Sequence, residues 1–219
     1  MKTFFLVVAL VVVQLGSVDT FLAILLDRSN RHSDYRQEVA EWVKRLYPTE
    51  RAGVTYLPES EAREEAFSKL LSIAKRSTKA RQYLIQALIS VVQDQKAFPE
   101  TRIDAAWLLG KLRSLESLNI LVKYLDLKGI AGSISLTFHP MVSIIVEMGE
   151  IAIPYLEKAM NDEKISIREE ASLALGEIGG EKAKKVLERA LSTETEESVK
   201  EAIKWNLNEI RIRSQRKQR

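Results

Sequence analysis

From Asp34 onward, apolar and polar positions alternate at the spacing of a helix that buries one face. Val39, Trp42, Val43 and Leu46 stand at i, i+3, i+4 and i+7 behind Asp34 and Gln37, residues suited to an N-cap and its partner, and Pro48 stops the run. Residues 48–60 carry no such period and read as a loop. Ser60 then opens a helix with Ala66, Phe67, Leu70, Leu71 and Ala74 on one stripe. Ser77 and Thr78 precede a longer one, with Tyr83, Leu84, Ala87, Leu88, Val91 and Val92 on another, and Pro99 punctuates it. Beyond Pro99, "LKGIAGSISLTF", residues 127–138, breaks the helical period; its glycines and alternation predict a loop or a short extended insert.

The downstream pattern repeats. "TRIDAAWLLGKL" (101–112), "IREEASLALGEI" (167–178) and "VKEAIKWNLNEI" (199–210) align without gaps at offsets of 66 and 32 residues, and "VSIIVEMG" is a weaker copy between the first two. Second helices repeat as well: "SLNILVKYL", "AIPYLEKAM" and "AKKVLERAL" bring Leu121, Leu156 and Leu187 into register. The period of 30 to 33 residues is one helical hairpin. A hairpin cannot bury its apolar faces alone, so neighbours stack into a continuous core, and the expected fold class is an all-α α-solenoid of stacked helical hairpins. Leu187 should then be buried, as should Trp107 and Trp205, which share the register position of Leu173. Gly149, Gly179 and Gly180 follow the last apolar residues of first helices, where a left-handed cap favours glycine, and so read as corners rather than phosphate cradles.

The order of a hydrophobic residue, Arg or Lys, Ala, then Leu-Gly-x-Ile and a leucine-rich partner helix resembles HEAT-like repeats of the phycobiliprotein lyase type. The resemblance covers residues 101–210 closely and 61–98 by helical pattern. It implies a HEAT-like superhelix whose second helices line a concave face, and a non-catalytic protein–protein interaction scaffold or adaptor. The alternatives are a membrane-tethered accessory or assembly factor and, from another class, a lyase-like or other enzyme. Deoxyhypusine hydroxylases resemble this architecture but hold iron through His-Glu pairs. Here Ser33 follows His32 and Pro140 follows His139, and no residues pick out a bilin site.

The N-terminus bears on location. Lys2 precedes the apolar "TFFLVVALVVVQL", the length of a secretory signal core, and "FLAILL" at 21–26 extends the run towards the span of a membrane helix. Residues 1–26 therefore read as a signal peptide or membrane anchor, giving an exported protein that is periplasmic, secreted or anchored. Arg28, Arg31 and Arg36 outnumber Lys2, and in the inverted alternative they keep the body in the cytoplasm. An N-terminal helix and loop fill 27–60, the repeat domain 61–210 with its insert at 127–138, and a basic tail 211–219.

Charge adds one candidate site. The net +3 comes from the tail, since "RIRSQRKQR" holds five cations and leaves 28 bases against 30 acids elsewhere, so the body gives no nucleic-acid reading. The absence of cysteine removes thiolate nucleophiles and thiolate metal sites. His139, before a proline, reads as a solvated or helix-capping ring. Glu194, Glu196 and Glu197 read as a solvated acidic cluster complementing the next helix dipole. Trp107 and Trp205, read as core, leave no aromatic cage. No cofactor, metal site, catalytic residue or small-molecule substrate is expected. What remains is Lys123, Lys158 and Arg189, equivalent positions in the last turns of three successive second helices, which stacking aligns about 10 Å apart. The expected partner is a protein with an acidic segment, with a membrane tether through the N-terminus as the alternative.

Overall fold

The computed structural model describes residues 34–51, 54–56, 60–129 and 139–217. Its helices are α1 (Asp34–Lys44), α2 (Ser60–Arg76), α3 (Thr78–Gln93), α4 (Pro99–Lys111), α5 (Leu115–Lys123), α6 (Pro140–Met148), α7 (Ile153–Ala159), α8 (Ile165–Ile178), α9 (Gly180–Thr193) and α10 (Glu197–Lys217). The fold is an all-α solenoid of stacked hairpins. The signal or anchor segment and most of the insert lie outside the described residues. Contacts divide the chain into two compact units that meet between Leu108 and Leu109, within α4.

In the first unit, Val39, Val43 and Leu46 are fully buried, and α1 packs on the α2/α3 hairpin. Ser77 caps α3, its Oγ accepting from the Ala80 N–H at 3.1 Å. One expectation is corrected here. Residues 48–60 include β1 (Thr49–Arg51) and β2 (Val54–Tyr56), antiparallel with Thr49 opposite Tyr56. Three-residue strands are too short to display a two-residue period, so periodicity passes over them. Half-buried Trp107 stacks on Phe67 with ring centroids 4.9 Å apart.

The second unit shows why the repeat stacks. First helices α6, α8 and α10 pack in sequence, and second helices α5, α7 and α9 do the same beside them. Leu121, Leu156 and Leu187 are each 0% exposed, as their register requires. The glycine of the Leu-Gly-x-Ile motif, Gly176, and its register equivalent Gly110 sit at the crossings of successive first helices. A Cβ on Gly110 would lie 2.8 Å from Ile144 Cγ2, and one on Gly176 would lie 2.7 Å from Asn206 Cβ. Gly149 and Gly179 turn the corners at φ of 75° and 67°.

Trp205 departs from expectation. It is 67% exposed although it shares a register with Leu173. α8 is covered by α6 on one side and α10 on the other, whereas α10 buries one face, Val199, Ile203, Asn206 and Ile210, against α8 and α9. Among the described residues nothing covers the opposite face, which carries Trp205. The basic tail is also not a separate segment, since α10 continues through it to Lys217. Arg213 Nη1 donates to Glu177 O at 3.2 Å and its Nη2 to Gly176 O, capping α8.

Candidate protein-binding surface

The three equivalent cations lie on α5, α7 and α9, which pack side by side in the second unit. Lys123 ends α5 and Lys158 is in the last turn of α7. Both are exposed, and Lys158 Nζ stands 5.9 Å from the Tyr155 ring centroid. Arg189 differs from the expectation in two ways. α9 runs on to Thr193, leaving Arg189 outside the last turn, where the helix dipole does not favour a cation. Its Nη2 lies 2.7 Å from Glu157 Oε1, so it braces α9 to α7. The column therefore presents two open lysines and one arginine whose charge is met by its neighbour.

A groove that the sequence reading missed lies where the α8–α9 corner meets α10. It measures about 920 Å³. Ile178, Leu207 and Ile210 line it with apolar surface. Glu181, Lys184 and Glu188 come from α9, and Arg211 and Arg216 from α10. Leu207 is half-buried, whereas Leu109 and Leu175, its register equivalents in earlier first helices, are 0% exposed.

Charged groups at the first-helix positions are structural braces. Asp104 and Glu170 are register equivalents and both are buried. Arg63 makes two hydrogen bonds to Asp104, the Nε contact at 2.9 Å. Burial nevertheless holds the Asp104 carboxyl above its ordinary range against that cation's pull. Glu170 lies 2.6 Å from His139 Nδ1 and 3.7 Å from Lys128 Nζ. The half-exposed His139 ring is thus held by a carboxylate while still meeting solvent, and it makes no side-chain cap hydrogen bond to α6.

Arg168 pairs twice with Glu194, at 2.8 and 3.1 Å, and donates to the Asp162 carbonyl at 2.8 Å. Glu194 also accepts from the Thr195 and Glu196 N–H groups at 2.9 Å each. Its burial would raise the carboxyl pKa, but Arg168 and those N–H groups bring it below the ordinary range. Glu194 is therefore a buried ion-pair member and local cap, not a solvated acid. Among the described residues there is no group of three or more His, Cys, Asp or Glu placed to hold a metal ion.

Residues 142–208 match the HEAT repeats family. The match is to these repeats in general and does not single out the phycobiliprotein lyase type. No curated protein matches the chain. A crystal structure of an engineered protein is similar at 18% identity over 90% of this chain and 85% of that one, with a TM-score of 0.36. Human deoxyhypusine hydroxylase in complex with glycerol is similar at 16% identity over 81% and 97%, with a TM-score of 0.29. Neither likeness bears on activity.

Proposed function

Because the chain is a HEAT-like repeat protein, we propose that it is a non-catalytic scaffold that binds a protein partner through its row of second helices. The observation that carries the reading is the side-by-side packing of α5, α7 and α9 with Lys123 and Lys158 exposed on adjacent members. Two exposed ammonium groups on adjacent, leucine-packed helices favour an acidic segment, since opposite charge steers and registers such a partner. Arg189 contributes less, as an incoming carboxylate would have to compete with Glu157. The apolar N-terminal run supports delivery out of the cytoplasm, either cleaved or retained as a tether.

The test places a photo-crosslinking amino acid at position 123 or 158 of the full chain in its native cells, with position 204 on α10 as the control face. A protein captured at 123 and 158 but not at 204, and lost when Lys123→Glu and Lys158→Glu are combined in a folded variant, is the expected result. Equal capture at all three positions, or capture unchanged by the charge reversals, refutes the reading. Intact mass of the purified protein separately reports whether the N-terminal run is removed.

A further inference from the structure

We propose that the α9/α10 groove is a docking site for an amphipathic helix from another polypeptide, one with carboxylates along the edge that meets α10. This goes beyond the scaffold reading, because the groove is lined by residues other than Lys123 and Lys158.

The argument begins with register. Leu109, Leu175 and Leu207 are equivalent, and the first two are fully buried while Leu207 is not. α8 is covered along this side by its hairpin partner α9, whose Ala183, Val186 and Leu187 form a buried i, i+3, i+4 stripe. α10 continues straight to Lys217 without turning back, so the corresponding place beside it is open among the described residues. A helix about 10 Å across and two turns, about 11 Å, long fills roughly 850 Å³, close to the groove's volume of about 920 Å³. The half-buried Ile178 and Leu207, with the already buried Ile210 beneath them, are the apolar lining that a stripe of that kind packs against.

Charge then selects the occupant. Arg211 and Arg216 are exposed on the α10 wall, and Arg211 Nη2 donates to the neutral Asn208 Oδ1 at 2.7 Å, with no carboxylate paired to its guanidinium among the described residues. They match a helix edge of Glu or Asp. Glu177, Glu181 and Glu188 line the facing wall, so the carboxylates of the occupant belong on the edge that meets α10 and not on the edge that meets α9.

The probe is a stapled helical peptide with the 14-residue sequence of α9, in which Lys182, Lys184, Lys185 and Arg189 are all replaced by Glu; the unaltered sequence is the comparison. Fluorescence anisotropy with the full chain is expected to show the acidic peptide binding at least about tenfold more tightly. Arg211→Glu with Arg216→Glu should reverse that order, and Leu207→Asp should weaken both peptides. The exposed arginine pair keeps the test sound if Leu207→Asp unfolds the chain. Lys123→Glu with Lys158→Glu should leave peptide binding unchanged, which separates this site from the scaffold reading. The proposal is overturned if neither peptide binds at about 1 mM, if the arginine reversals leave the preference intact, or if sedimentation shows a dimer that Leu207→Asp dissociates.

Discussion

Replacing Gly176 by alanine isolates the contact that sets the spacing of successive first helices. A methyl built there would lie 2.5 Å from Asn206 Oδ1, 2.6 Å from its Cγ and 2.7 Å from its Cβ, well inside the roughly 3.5 to 4.0 Å of comfortable carbon contact. Rotating the Asn206 side chain does not relieve this, because its Cβ is part of the clash. Its amide is also held, donating to Ser172 Oγ and to Ala202 O at 2.9 Å each. α8 and α10 must therefore separate. Overpacking costs about 2 kcal/mol and weakening the buried Ser172–Asn206 hydrogen bond about 1, against a helix-propensity gain of about 1 from replacing glycine. The net loss of about 2 kcal/mol corresponds to a fall of about 4 to 8 °C in Tm for a domain of this size. Differential scanning calorimetry measures it. Adding Asn206→Gly removes the opposing Cβ and should recover most of the packing term. A Gly176→Ala protein that melts at or above the parent temperature would show that propensity alone governs the site, and the close crossing would be refuted.

Four further outcomes are expected. Leu187→Ala, at a fully buried position, should lose about 2 to 5 kcal/mol in urea unfolding through transfer and cavity terms; an unchanged midpoint would contradict the register. Trp205→Ser, by contrast, should alter stability by less than about 0.5 kcal/mol in the same titration, because the ring is 67% exposed. Glu194→Gln should destabilise most at neutral pH. The folded Glu194 carboxyl sits below its ordinary pKa of 4.5, so its contribution is present above that value and is lost as pH falls through the folded pKa; a difference between parent and variant that grew on acidification would refute the sign. Arg213→Ala should cost about 1 kcal/mol by removing the α8 cap and should speed hydrogen exchange at the end of α8, whereas a merely solvated tail would show neither effect.

The candidate site was legible in the sequence only in outline. Lys123, Lys158 and Arg189 were brought together by counting repeat offsets, and their helices do pack as neighbours. Counting could not reveal that Arg189 meets Glu157, because a long side chain reaches across helices according to the rotamer and crossing it finds. The groove beside Leu207 was invisible for a related reason: a leucine on a helical stripe looks the same whether or not another helix covers it.

What the sequence determined by itself was the helical period, the hairpin length and the buried leucine register, because these follow from 3.6-residue geometry and from apolar side chains that one hairpin cannot bury alone. Tertiary structure decided everything that depends on a neighbour. It made Gly176 a crossing point rather than a weak spot in a helix, put Trp205 in solvent while its register partner Leu173 is half-buried, and turned Arg213 from a tail charge into a cap. Equivalent residues carry equal chemistry along a repeat, but burial and pairing belong to the surface opposite, and that surface changes where the described stack has no next helix.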